Sequence, residues 1–299
     1  MTPRLALIGY GEVGQTLRAD LVSSGFADVV VHDRLFADPA SPPSQAAAGQ
    51  NAHVAANLAE ACAGRDLVIS AVTAAEALNV ARTAAPHLGP AFFLDLNSVS
   101  PQTRQAEAQA LAGSPARYVE GAVMAPIAPK RLKTPILLGG PAAAEIAPIL
   151  AALGFATHSA GGEIGRASAV KLSRSIFVKG LEAIITESLA SARHYGVEAE
   201  VLASLGNTIP HPDWTGLARY LLSRPLVHGQ RRSEEMVEAA QMLVAAGLDA
   251  SMTRAMVEVH ARQGGLDLGL EAEAIEDLPR LLDAVAERIE ARSRARDRS

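Results

Sequence analysis

A short apolar run, Leu5-Ala6-Leu7-Ile8, ends in Gly9-Tyr10-Gly11-Glu12-Val13-Gly14 and passes directly into a segment with Val13, Leu17 and Leu21 at helical spacing. Three glycines in that pattern, between a strand and a helix, restrict the chain to very few architectures. Gly9 permits the tight turn, Gly11 lets backbone approach a pyrophosphate, and Gly14 lets the helix pack closely on the strand. The helix start then offers free N–H groups and partial positive charge to phosphate. The pattern assigns contact with a dinucleotide to Gly9, Tyr10, Gly11, Glu12, Val13 and Gly14. A second strand, Val29-Val30-Val31, leads to Asp33, at the distance past the glycines where an acid bonds ribose hydroxyls. Asp33 favours NAD, and the adjacent Arg34 leaves NADP open, since an arginine here can hold a 2′-phosphate. A flavin, or a domain that has lost its ligand, is the alternative at this point.

Further strands are read at 67–72, 91–96, 118–123 and 135–138, with helices at 74–85, 102–111 and 142–153 between them. Alternation of this kind predicts α/β architecture with a parallel, doubly wound sheet, a Rossmann domain over residues 1–162. Residues 38–50, rich in Pro, Ser and Ala, read as an irregular loop. From 163 onward the pattern is helical, with segments at 167–195, 198–205, 214–222, 233–246, 251–263 and 278–288. That predicts an all-α domain over residues 163–299, fraying from 288. Val72 and Thr73 end a strand on the cofactor edge and are expected to touch it.

Composition narrows the function. A net charge of -5 gives no reason to expect nucleic acid or an anionic membrane. The single cysteine, Cys62, excludes an internal disulfide and suits a reducing, cytoplasmic setting. No apolar run reaches the roughly 20 residues of a membrane span. His211 and His228 have no third ligand at a suitable spacing, so no metal site is expected. Trp214 is read as packing in the core, with a place in the wall of a substrate site as the alternative. Only four of the 27 basic residues are lysines, namely Lys130, Lys133, Lys171 and Lys179. Lysine, unlike arginine, can give up its proton in a protein.

More of the chain can then be placed. Asp95-Leu96-Asn97-Ser98-Val99-Ser100-Pro101, Glu120-Gly121-Ala122-Val123-Met124-Ala125-Pro126 and Gly165-x5-Lys171 resemble, in order, three motifs of the β-hydroxyacid dehydrogenases. These enzymes belong to the 6-phosphogluconate dehydrogenase-like superfamily. The later stretch Arg231-Arg232-Ser233-Glu234-Glu235-Met236 looks like a poorly characterised helical domain found behind such Rossmann domains. The resemblance implies hydride transfer between a nicotinamide and a hydroxy acid or related alcohol. Lys171 would be the general acid/base, with its pKa lowered toward neutrality by desolvation in a closed cleft. Asn97, Ser98, Met124, Arg174 and Ser175 would contact a small-molecule substrate, and two copies would pair through their helical domains, with Ile176, Phe177, Ile184 and Ile185 as candidate surface.

The motifs also depart from the family pattern. Ala167 replaces a glycine, Ser175 an asparagine, Met124 a serine and Glu120 an aspartate. Met124 suits a bulkier or less polar substrate than a small 3-hydroxyacid. Two other functions stay open: an imine reductase, whose relatives usually replace the lysine, and a dinucleotide sensor without turnover.

Overall fold

Apolar tetrads become the strands of one sheet in the computed structural model, which describes residues 3–26, 28–269 and 271–296. The order along the chain is β1 (Leu5–Ile8), α1 (Glu12–Ser23), β2 (Val29–His32), α2 (Pro42–Gly49), β3 (His53–Val54) and α3 (Leu58–Cys62). It continues through β4 (Leu67–Ser70), α4 (Ala74–Ala84), β5 (Phe92–Asp95), α5 (Pro101–Leu111), β6 (Arg117–Val123) and α6 (Ile127–Lys130). Then come β7 (Ile136–Gly139), α7 (Ala143–Ala152), β8 (Thr157–Gly161) and α8 (Arg166–Tyr195). Spatially the strands run β3-β2-β1-β4-β5-β6-β7-β8. They are parallel as far as β6, β7 is antiparallel to β6, and β8 returns parallel to β7. The strand order reverses between β1 and β4, so the crevice where ligands bind in open α/β sheets lies over those two strand ends.

Alternation along β1 shows how the sheet is buried. Leu5 and Leu7 join the cluster containing Leu17, Leu21, Val31 and Ile69. Ala6 and Ile8 join a second cluster with Val68, Ala81, Phe93 and Leu111. Both faces are therefore covered, as parallel sheets require.

The chain divides into two compact units at Lys171/Leu172. The first unit thus takes in the beginning of α8, beyond Gly162. The second holds the rest of α8 with α9 (Glu198–Thr208), α10 (Trp214–Ala245), α11 (Ser251–Gly264), α12 (Glu271–Ala274) and α13 (Leu278–Arg296). Its core gathers Ile185, Leu189, Leu222, Leu226, Leu281 and Val285. Among the described residues no helix is long and apolar enough to cross a membrane.

The structure departs from the sequence reading at several points. Residues 42–49 are helical rather than irregular, because Ser41 caps the Ser44 N–H and Pro42 occupies the first turn, where its missing N–H is harmless. The helices read at 214–222 and 233–246 are longer than expected and meet across a kink at His228, where the backbone is non-helical, three residues past Pro225. α13 continues to Arg296 instead of fraying at 288, and residues 297–299 lie outside the described residues. Strands β3 and β8 have no signal in the apolar pattern, since His53, Val54, His158 and Ser159 are exposed.

Candidate active site

The cofactor edge is built by glycines in close quarters. Gly9 has φ +92°, and a Cβ there would lie 2.3 Å from the Ala71 carbonyl oxygen. A Cβ at Gly14 would lie 2.1 Å from the Gly9 oxygen. At Gly11, which caps α1, a Cβ would meet nothing within 4 Å. Space above the helix start, free first-turn amides and partial positive charge together fit a pyrophosphate.

Asp33 sits beside this cradle and accepts hydrogen bonds from the Tyr10 N–H at 2.7 Å and the Leu35 N–H at 2.9 Å. Those bonds tie β2 to the glycine loop and leave further acceptor capacity on the carboxylate. Arg34 is exposed and pairs with Glu76 at 2.9 Å, a contact that a phosphate can replace cheaply. The Tyr10 side chain points inward, is fully buried and bonds Gln50 at 2.8 Å, so only its backbone faces the loop. Glu12 is exposed in the first turn of α1, while Val13 packs partly on the core. Thr73 is exposed at the start of α4, and the Val72 N–H is held by the Asn97 side chain at 2.7 Å.

Asn97 and Ser98 are neighbours with different fates. The Asn97 amide donates to Ser70 at 3.0 Å and Asp95 at 2.7 Å, and the residue is 3% exposed. Its side chain ties the ends of β4 and β5 together. The Ser98 hydroxyl is buried and, among the described residues, has no hydrogen-bond partner. A hydroxyl in that condition at a strand's C-terminal end is a ready contact for a ligand oxygen.

Beneath them lies a buried ionic cluster that the motifs do not announce. Arg104 on α5 bonds both the carboxylate and the carbonyl of Asp95, as well as the Asn97 carbonyl. It also reaches Ser168 at 3.0 Å. Burial opposes its charge, but Asp95, Tyr118 and Glu107 keep it protonated. Burial, with repulsion from Asp95, pushes Glu107 up to about 8, and Tyr118 donates its hydroxyl proton to that carboxyl at 2.5 Å. Glu120 accepts from the Gly165 and Ala167 N–H groups at 3.0 and 2.9 Å. It therefore caps α8, the helix that carries the half-buried Lys171. Met124 follows β6, with its N–H bonded to the Pro135 carbonyl at 2.9 Å.

In the helical unit Arg174 is exposed, whereas Ser175 and Lys179 are each 5% exposed. The Ser175 hydroxyl and the Lys179 ammonium (2.8 Å) share one carboxylate oxygen of Glu235. Arg232 pairs with Glu182 at 2.9 Å in the same layer. Burial lowers the Lys179 pKa and raises that of Glu182 to about 7. Glu235 belongs to the Arg231–Met236 stretch that the sequence singled out without a role. Trp214 packs over Gly206 and donates to the Ile209 carbonyl at 2.9 Å. Among the described residues no three His, Cys, Asp or Glu side chains are grouped to hold a metal ion.

Comparison with known proteins bears on this site. The model for the NAD binding domain of 6-phosphogluconate dehydrogenase matches residues 4–162. The chain belongs to that family. Its first unit is accordingly an NAD(P)-binding domain. A second model, a domain of unknown function (DUF1932), matches residues 192–263. A conserved hypothetical protein from Sinorhizobium meliloti is 38% identical, with 96% of this chain and 97% of that one covered and a TM-score of 0.77. The 3-hydroxyisobutyrate dehydrogenase of Mycobacterium tuberculosis, solved with L-serine, is 17% identical over 95% of this chain and 99% of its own, at a TM-score of 0.72. A reductive aminase from Aspergillus terreus, solved with cyclohexanone and allyl amine, is 21% identical over 95% and 99%, at 0.58. The last two share the fold.

Proposed function

We propose that the protein is an NAD(P)-dependent dehydrogenase acting on the alcohol of a hydroxy acid or a related compound, or on the matching carbonyl. The observation that carries the reading is the buried Ser98 hydroxyl, unpartnered among the described residues, in the same unit as Lys171 and the glycine cradle. When bound, the nicotinamide supplies the acceptor or donor of the hydride. Ser98 holds the substrate oxygen. Lys171 takes the hydroxyl proton during oxidation and returns it during reduction. Gly9, Gly11, Gly14 and the amides of α1 bind pyrophosphate, and Asp33 holds the adenine ribose, which favours NAD over NADP. Val72 and Thr73 line the nicotinamide side. Met124 makes the substrate wall apolar. Two copies pair through their helical units.

The test is a titration with NADH and NADPH followed by a turnover screen of hydroxy acids, keto acids and cyclic imines. Lys171→Ala should keep cofactor affinity and lose roughly 100- to 10,000-fold in turnover, the usual worth of a general acid/base. Turnover at the wild-type rate in a folded Lys171→Ala protein would sink the assignment. Reduction of imines with no action on hydroxy acids would favour an imine reductase, the reading that apolar Met124 supports. Tight cofactor binding with no turnover of any compound would favour a sensor.

A further inference from the structure

One guanidinium touches all three segments that carry the proposed chemistry. Arg104 is completely buried in the first turn of α5. It bonds the Asn97 carbonyl beside Ser98, lies 3.5 Å from the Gly121 carbonyl on the strand leading to Met124, and bonds Ser168 one turn ahead of Lys171. Glu120 completes the arrangement. One of its oxygens holds the Gly165 and Ala167 amides, and the other lies 3.8 Å from the Arg104 Nε.

The surroundings leave room for this arrangement and little else. A Cβ at Gly139 would lie 2.1 Å from the Glu120 carboxylate, and one at Gly165, where φ is +96°, would lie 2.9 Å from Pro101. A buried ion cluster of this kind adds little net stability compared with apolar packing. Its geometry, however, is stiff. A guanidinium projects its donors in fixed, coplanar directions, and a carboxylate bonded to two helix-start amides is a charge-assisted cap.

We infer that Arg104 and Glu120 are positioning residues, which together fix the first turns of α8, and so the Lys171 amine, against the Ser98 loop. The inference rests on the reading that Lys171 handles the proton. Neither residue touches substrate; both act through Lys171. Displacement of a reacting group by about 1 Å costs on the order of 100-fold in rate, so loss of the cap is expected to appear in kcat and not in cofactor affinity.

The chain contains four lysines, so labelling them with 13C at Cε gives four signals, assignable by single Lys→Arg replacements. In Glu120→Ala the Lys171 signal and its titration midpoint should move while those of Lys130 and Lys133 stay. NADH affinity should hold within about twofold and kcat should fall about 100-fold. Glu120→Gln keeps an oxygen that can accept both amides, and should restore most of the Lys171 signal. A Lys171 signal and midpoint in Glu120→Ala that coincide with wild type would overturn the inference. If Glu120→Ala does not fold, Ser168→Ala removes only the Arg104 contact on α8. It should shift the Lys171 signal in the same direction, and coincidence with wild type would again overturn the claim. The two readings fail separately. A displaced Lys171 signal with no substrate turned over leaves positioning intact and removes the dehydrogenase. Turnover lost in Lys171→Ala but kept at the wild-type rate in Glu120→Ala leaves the dehydrogenase and removes positioning.

Discussion

Gly9 and Gly11 stand two residues apart in one motif, yet their substitution tests different things. Alanine at Gly9 strikes the Ala71 carbonyl in the protein itself, whereas alanine at Gly11 enters open space. Gly9→Ala should therefore lower the thermal midpoint and weaken cofactor binding together. Gly11→Ala should leave the midpoint within a degree or two of wild type and weaken NADH binding by about tenfold or more, because only the pyrophosphate needs that space. Equal NADH affinity in Gly11→Ala and wild type would contradict the cradle. At this scale the sequence points to this loop because glycine is read directly from its spacing. It could not separate Asn97 from Ser98. Whether a side chain meets Ser70 and Asp95 or faces a crevice depends on strand ends 25 or more residues apart in the chain.

At the scale of elements, the buried layer between α8, α10 and α11 has a signature in pH. His260 on α11 is fully buried, with its Nε2 on the Lys179 carbonyl at 3.2 Å. Burial, reinforced by the charge of Arg232, pushes its pKa down to about 4. A histidine whose folded pKa lies below its unfolded value of 6.5 contributes stability that is complete above pH 6.5. That stability is lost as pH falls toward 4. Between pH 7 and 5 the loss amounts to about 2 kcal/mol at most. Urea unfolding of wild type and His260→Gln at both pH values should show wild type losing this amount relative to the variant. The comparison cancels Glu182, which moves the opposite way because its pKa is raised to about 7. Parallel pH profiles for the two proteins would contradict this account. Neither this layer nor α2 was legible in the sequence. Helical periodicity identifies an apolar stripe, but it does not distinguish a lysine in a buried ion pair from one on a solvated face. A segment of Pro, Ser and Ala reads as a loop unless the cap at Ser41 is recognised.

At the scale of the whole molecule, the apolar residues expected to join two copies fall into two groups. Ile185 is 6% exposed and belongs to the core of the helical unit. Phe177 and Ile184 are 69% and 56% exposed, and Met252, beside Ile184 on a groove between α8 and α11, is 64% exposed. Large apolar side chains gathered on one face usually mark an interface. Light scattering should give twice the chain mass of 31.1 kDa, and Ile184→Glu should give a monomer that still binds NADH. A wild-type monomer at micromolar concentration would remove the homodimer.

The sequence alone determined the two-part plan, the nucleotide cradle and the candidate proton carrier. Each is local, written in glycine spacing, apolar period and short motifs that act within one strand–turn–helix unit. The tertiary structure alone decided that Arg104 and Glu120 tie those motifs together, that the Asn97 amide is taken up by Ser70 and Asp95 while the buried Ser98 hydroxyl is not, and that Ser175 shares a carboxylate with Lys179. These are contacts between residues far apart in the chain, made when the sheet and the helices close over buried charge. A buried charge takes its partners from the fold, and the local pattern does not record them.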